Sequence, residues 1–326
     1  MPDERTRSAQ PEPAAHIDLI VRGMRWEADG ILLLALERPE GGDLPAWEPG
    51  AHVDLRLPNG VERQYSLCSD PDDRTTWHVA VLREDISRGG SRYVHGDLRP
   101  GQRLTATLPR NNFALVEAPE TIFVAGGIGI TPLLPMIRRV AASGRRWRLA
   151  YLGRSLDRMA YVRDALLTGP EVTLVAADRD QRLELAEWIG TPQAGAAVYA
   201  CGPARMLDAL EELSLDWPRG TLHLERFQPR VFADADDAST FDVEARRSGL
   251  RVTVEPHCSI LETLERAGIG VPNSCLEGVC GTCETRIIDG EAEHRDSILA
   301  PDEREANETM MICVSRSRRP TLVLDI

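Results

Sequence analysis

The sequence predicts a multidomain chain: an antiparallel β-barrel, then an α/β domain on a parallel sheet, then a small α+β domain. Three observations carry that expectation. Residues 16–116 alternate short strands with turn residues, residues 117–228 alternate apolar strands with helical stretches, and residues 239–326 set two strands and a capped helix before a run of cysteines. A chain of 326 residues is long enough for two or three domains, each with its own core. Net charge of −13 argues against a nucleic-acid partner. No run approaches the roughly 18 apolar residues of a membrane span. The polar, Pro-containing start has no apolar stretch of a secretory signal, so residues 1–15 read as a disordered lead-in. Seven cysteines, an odd number, argue against an oxidising compartment; a cytoplasmic and monomeric protein is expected.

In the barrel region, strands are expected at 18–24, 30–37, 52–57, 63–67, 77–81 and 102–108. Pro49-Gly50, Pro58-Asn59-Gly60 and Pro100-Gly101 punctuate them. The strand Arg63-Gln64-Tyr65-Ser66-Leu67-Cys68 alternates, placing Arg63, Tyr65 and Leu67 on one face and Gln64, Ser66 and Cys68 on the other. Alone it reads equally well as an edge strand of mixed polarity. A second stretch, Ser87-Arg88-Gly89-Gly90-Ser91-Arg92-Tyr93, runs from a Gly-Gly turn into a short helix. Amides freed by Gly89 and Gly90, with the Ser91 hydroxyl, suit a phosphate. His52 and His95 read as surface or locally hydrogen-bonded imidazoles. Taken together, Arg63-x-Tyr65-Ser66 and the Gly/Ser turn resemble the flavin-binding barrel of the ferredoxin reductase superfamily. That resemblance implies Arg63 on the flavin phosphate, Tyr65 along the isoalloxazine or ribityl, Ser66 near N5, and Val81, Gly89, Gly90, Ser91, Thr131 and Phe227 among the remaining flavin contacts.

The next region predicts strands at 121–125, 147–151, 172–176, 197–201 and 221–227, with helices at 132–142, 160–167 and 203–213, hence a doubly wound parallel sheet. Its first strand enters Gly126-Gly127-Ile128-Gly129-Ile130-Thr131-Pro132. The glycines allow a diphosphate close to the backbone, Thr131 is expected to cap the helix, and Pro132 suits its first turn. Pro132 stands where the dinucleotide fingerprint has its third glycine, which argues against an ordinary Rossmann dehydrogenase. It is similar to the nicotinamide half of the same superfamily. By that likeness Arg154 and Ser155 hold the adenine ribose, and Cys201, Gly202, Pro203 and Met206 lie under the nicotinamide. Without it, Cys201 reads as a buried core thiol at a strand end.

Residues 229–238 read as a linker with Pro229 and an Asp-rich run. Beyond it strands at 241–246 and 250–256, a helix with the capping box Ser259-x-x-Glu262 ending at Gly268, and strands at 284–288 and 321–324 make a β-grasp pattern. Cys275, Cys280, Cys283 and Cys313 follow C-x4-C-x2-C…C, the spacing with which plant-type ferredoxins hold a [2Fe–2S] cluster. Small residues between them let backbone N–H groups face the sulfurs. A structural zinc site or a disulfide framework competes with this reading, although zinc knuckles pair their ligands differently and disulfides suit small secreted domains. Cys258 is outside the spacing and reads as core. Residues 239–326 carry sixteen acids against ten arginines, a surface for a basic partner or simply a solvated one.

The order flavin barrel, nicotinamide domain, C-terminal ferredoxin is similar to the phthalate dioxygenase reductase and vanillate demethylase reductase family. The resemblance implies FMN, a [2Fe–2S] cluster and NADH as donor, with electrons passed to a terminal, Rieske-type oxygenase. A nicotinamide gives two electrons together and a cluster takes one, so a flavin between them is the chemical requirement. A cytochrome P450 as the acceptor, or a cluster-based redox sensor, are the alternatives.

Overall fold

The computed structural model describes residues 16–180, 182–230 and 239–326. The lead-in expected at 1–15 and most of the expected linker lie outside the described residues. The chain divides into two compact units, one of them His16–Gln228 and the other containing Pro229–Ile326.

The first unit opens with six antiparallel strands: β1 (His16–Ala28), β2 (Ile31–Glu37), β3 (His52–Arg56), β4 (Glu62–Ser66), β5 (Trp77–Leu82) and β6 (Arg103–Thr107). Their order is β4-β3-β6-β1-β2-β5. Register shifts at Val21/Gly23 and Trp26/Ala28 bend the long β1, as an extra residue in one strand does, and let it serve both halves of the sheet. Leu19, Val21, Leu34, Leu36, Val53, Leu55, Trp77 and Val79 fill the inside. Between β5 and β6 lies the short helix α1 (Gly90–Gly96).

Five parallel strands follow: β7 (Glu120–Gly126), β8 (Arg146–Gly153), β9 (Val172–Ala176), β10 (Ala197–Cys201) and β11 (Leu222–Glu225), ordered β11-β10-β7-β8-β9. The order reverses between β7 and β10, and at such a switch point the carboxyl ends of the two strands leave a crevice. Helices α2 (Ile130–Ala142), α3 (Leu185–Ile189) and α4 (Ala204–Leu213) cover the sheet. Barrel and nucleotide sheet share a core: Ala28, Leu33, Cys68 and Ala80 pack with Leu133, Met136, Ile137, Met159 and Tyr161.

Three expectations are corrected here. The helix expected at 160–167 is absent: Tyr161 has φ 62°, in the left-handed region, and Asp164 accepts from the Leu166 N–H to cap a 3-10 turn, Ala165–Thr168. Those apolar residues pack through turns instead. Thr131 is not the cap of α2, because the helix begins one residue earlier; its hydroxyl donates back to the Ile128 carbonyl at 3.0 Å. Cys258 is half-buried beside the Arg266 guanidinium, 3.1 Å away, and is outside the core.

The second unit carries β12 (Phe241–Ala245), β13 (Leu250–Val254), α5 (Ile260–Arg266), β14 (Glu284–Asp289), β15 (Ala292–Glu293), α6 (Pro301–Ala306), β16 (Thr309–Met311), β17 (Arg316–Ser317) and β18 (Thr321–Leu324). The main sheet runs β13-β12-β18-β14-β16, with β12 and β18 parallel, as in a β-grasp fold. The capping box forms: Ser259 accepts from the Glu262 N–H at 3.0 Å and the Glu262 carboxylate from the Ser259 N–H at 3.1 Å. β15, β16, β17 and α6 are additions that the sequence reading lacks.

Candidate functional site

Arg63 leaves β4 beside the Gly89-Gly90 turn. Its Nη2 donates to the Arg88 carbonyl at 2.7 Å, and a Cβ on Gly90 would lie 2.7 Å from the Arg63 Cγ, so glycine is what admits the stem. The buried Ser91 hydroxyl donates to Ser87 Oγ at 3.0 Å and accepts from the Glu84 N–H, fixing the turn. Tyr65 packs on the barrel core, and burial pushes its phenol up to about 12. Val81 is buried on β5, and its carbonyl accepts from His95 Nε2 at 2.9 Å, so His95 is the locally bonded imidazole expected. His52 is buried at the start of β3, not on the surface.

At the switch point the two loops after β7 and β10 interlock. A Cβ on Gly129 would lie 2.2 Å from the Cys201 carbonyl oxygen, one on Gly126 2.5 Å from Pro203 Cδ, and one on Gly202 2.8 Å from Gly126 Cα. These three glycines are needed for loop-on-loop packing. Gly127 differs: its φ is +55° and nothing lies within 4 Å of its missing Cβ, so open space stands beside its backbone. Met206 packs beneath both loops, with Sδ 3.1 Å from the Gly126 Cβ position. Arg154 is exposed and Ser155 half-buried at the carboxyl end of β8, where the Arg154 carbonyl accepts from the Asp178 N–H at 3.0 Å.

The structure joins these two clusters through a residue to which the sequence assigns no role. Glu225 ends β11, and its carboxyl hydrogen-bonds the buried Ser66 of the barrel while facing Cys201. Burial, opposed by the Ser66 hydrogen bond, pushes Glu225 up to about 8. Burial and then the Glu225 charge hold the Cys201 thiol well above its ordinary value. Near neutral pH the trio is hydroxyl, carboxylic acid and thiol, able to exchange hydrogen bonds without carrying charge. Arg226, buried next in sequence, pairs with Asp208 at 2.7 Å and Glu211 at 2.9 Å on α4 and pins the strand end. Phe227 beyond it is 40% exposed. A signal for Glu225 does exist in the sequence: an acid ends the last strand of the nucleotide domain.

Whether a flavin fits can be judged from buried atoms left without partners. Gln64 Oε1 and Glu225 Oε2 are both screened from solvent with no hydrogen bond, and Gln64 shares the Ser66 face of β4. A ring with polar edges laid there would satisfy them. The residues present fit such a group.

In the second unit the cysteine loop turns on Leu276, Gly278 and Gly281, with φ of 58°, 68° and 75°. A Cβ on Gly278 would lie 2.6 Å from Val314 Cγ2 and 3.1 Å from Asp296 Cα, so the loop is clamped to the segment after β15. Asp296, fully buried, accepts from the N–H groups of Ile298 and Leu299, and the Ser297 N–H donates to the Gly278 carbonyl at 2.8 Å. Cys275 reaches Cys280 and Cys313, and Cys283 reaches Cys313. These contacts hold Cys275 and Cys283 low and raise Cys280 and Cys313. The Glu277 N–H donates to Cys275 Sγ at 3.3 Å, and Thr282 Oγ1 lies 3.2 Å from Cys280 Sγ. Four crowded sulfurs with donors turned toward them suit the soft, anionic donor set that a two-iron cluster requires.

Residues 243–318 match the family model of the 2Fe-2S iron-sulfur cluster binding domain. The chain is 42% identical to the tetrachlorobenzoquinone reductase of Sphingobium chlorophenolicum, over 96% of this chain and 99% of that one. The structure of phthalate dioxygenase reductase, described as modular for electron transfer from pyridine nucleotides to [2Fe-2S], is 36% identical with a TM-score of 0.68, covering 95% of this chain and 98% of that one. This chain belongs to the phthalate dioxygenase reductase family. It is an oxidoreductase with a flavin half and a [2Fe–2S] domain, an electron-transfer component for an oxygenase. An intact type IV self-sufficient cytochrome P450 monooxygenase also matches, with 41% identity and a TM-score of 0.87 over 95% of this chain; the reductase spans 41% of that longer protein. No helix among the described residues is long and apolar enough to cross a membrane.

Proposed function

We propose that the reductase takes electrons from NADH through FMN and a [2Fe–2S] cluster to a separate Rieske-type oxygenase or demethylase. Three modules divide the work: 16–116 for FMN, 117–228 for NADH and 239–326 for the cluster. Bound FMN supplies the conversion of a two-electron donor into single electrons. Arg63, Gly89, Gly90 and Ser91 hold its phosphate; Tyr65, Val81, Thr131 and Phe227 line the rest of its site. Gly126, Gly127, Gly129 and Pro132 receive the diphosphate of the nicotinamide cofactor, Arg154 and Ser155 its adenosine end, and Cys201, Gly202, Pro203 and Met206 its nicotinamide. Ser66, Glu225 and Cys201 border the place where the two rings meet. Glu225 keeps a proton there near neutral pH while accepting from the Ser66 hydroxyl, so no uncompensated negative charge faces the reacting atoms. Cys275, Cys280, Cys283 and Cys313 ligate the cluster.

The observation that carries the choice of partner is extent: the likeness to phthalate dioxygenase reductase runs over 95% of this chain and 98% of that one. The likeness to the P450 protein favours a second reading, reductase to a P450. Supplying NADH to the purified reductase with the oxygenase co-purified from the native cell, and following the partner's visible spectrum, distinguishes them. Bleaching of Rieske bands is expected; appearance of a carbon monoxide-bound ferrous haem band at a comparable rate overturns the choice. Mass spectrometry of the released flavin tests FMN, and a mass matching FAD refutes it.

A further inference from the structure

The seam between barrel and nucleotide sheet is apolar, yet it holds a chain of polar contacts with no part in the chemistry above. The Cys68 thiol lies 3.3 Å from the His78 carbonyl, which can only accept, so the S–H points there. The Tyr161 hydroxyl, 3.1 Å from the same sulfur, is therefore the donor of that second contact. Burial pushes the Cys68 thiol up to about 12, so it keeps its proton. At the other end of Tyr161, the backbone N–H donates to Glu27 Oε1 on β1 at 3.0 Å. The barrel thus grips Tyr161 by both its main chain and its side-chain tip. The grip holds it at φ 62°, a conformation that a tyrosine adopts only when its surroundings compel it. Arg138 of α2 reinforces the joint, donating to the Cys68 carbonyl at 3.3 Å and to the Asp164 carboxylate at 3.0 Å.

The positions of the two partners matter more than the bond's own strength. Cys68 lies two residues beyond Ser66, and Tyr161 lies six beyond Ser155 on the segment leaving β8. We propose that the Tyr161–Cys68 contact fixes how closely the bound nicotinamide approaches the flavin, which makes Tyr161 a positioning residue for hydride transfer; this rests on the function proposed above. The transfer breaks the nicotinamide C4–H bond and forms an N5–H bond, moving two electrons and one proton; the nicotinamide is oxidised and the flavin reduced. Misplacement by about 1 Å costs such a reaction up to about a hundredfold.

The test uses the full chain loaded with flavin and cluster. Tyr161→Phe should slow single-turnover flavin reduction by NADH about tenfold and leave NADH affinity within about twofold. The deuterium isotope effect with 4-deuterated NADH should rise, which a loss of folded protein would not cause. Cys68→Ala should match it, Cys68→Ser should restore the rate because a hydroxyl also accepts the Tyr161 O–H, and the double variant should be no slower than either single one. Flavin reduction in Tyr161→Phe within twofold of the parent, or losses that multiply in the double variant, overturn the proposal. If Tyr161→Phe does not fold, the Cys68→Ala and Cys68→Ser pair gives the same decision. If the parent protein itself does not pass a hydride from NADH to its flavin, the functional reading falls first and the inference with it.

Discussion

Replacing Glu225 with Gln should flatten the dependence of stability on pH between 6 and 8. In the folded chain burial holds this proton to about pH 8, against an ordinary value of 4.5 that the unfolded chain would show. Across that window the folded form binds more protons than the unfolded one, so stability falls as pH rises from 4.5 towards 8 and is level outside it. At about 1.4 kcal/mol per unit, and allowing for half-titration at the upper end, the wild-type protein should lose about 2 kcal/mol from pH 6 to pH 8 through this group. For a unit of this size that is about 4–8 °C in Tm. Glutamine keeps an acceptor for the Ser66 hydroxyl but cannot titrate. Thermal unfolding of both proteins in the same buffers, followed by far-ultraviolet circular dichroism, isolates the effect, because every other titrating group is common to the two. The wild-type Tm should fall by that extra amount. Parallel lines of Tm against pH would show that the Glu225 carboxyl ionises as freely in the folded chain as out of it.

Cys280→Ser should abolish most visible absorption from the cluster while flavin content stays at one per chain; an intact cluster spectrum would remove Cys280 from the ligands. Gly129→Ala puts a methyl group 2.2 Å from the Cys201 carbonyl oxygen, so the loops must part, at a cost of about 2–4 kcal/mol in unfolding experiments and with loss of NADH turnover; unchanged Michaelis constant and stability would contradict the interlocked loops. Ending the chain at residue 228 should leave NADH-driven ferricyanide reduction near the parent rate, because His16–Gln228 is a compact unit, and should stop supply to the oxygenase; undiminished supply would mean that the flavin feeds it directly. Specificity constants should favour NADH over NADPH, since Asp157 near the exposed Arg154 would repel a 2′-phosphate; a ratio favouring NADPH reverses that assignment.

Spacing within a single stretch of chain is what proved readable. The turn residues around β1 to β6 and the Ser259 capping box act on neighbours a few residues away, so their meaning survives without a third dimension. The cysteine run is legible for the same reason, and the family model matches the residues around it. Glu225 illustrates the opposite case. Its strongest partners, Ser66 and Cys201, are remote in sequence and meet it only because β11 lies beside β10 and the strand end faces the barrel. Tyr161 is harder still: the apolar spacing around it fits a helix, whereas in the structure its backbone is left-handed and its partners Glu27 and Cys68 are about ninety or more residues away in sequence. Thr131 shows a smaller failure of local reasoning, because a 3-10 turn at Gly127–Gly129 runs straight into α2 and leaves no gap for a side-chain cap.

The core shared by the barrel and the nucleotide sheet bears on how such reductases can be recombined. A chimera that takes its barrel from one parent and its nucleotide sheet from another would bring together surfaces shaped by different histories: Ala28, Leu33, Cys68 and Ala80 on one side, Leu133, Met136, Met159 and Tyr161 on the other. Mismatched volumes there would leave voids or clashes in a close-packed interior. A crossover placed after residue 228 cuts none of these contacts. Donor specificity and flavin chemistry should therefore be inherited together as one cassette, while the iron–sulfur module is exchanged with less penalty.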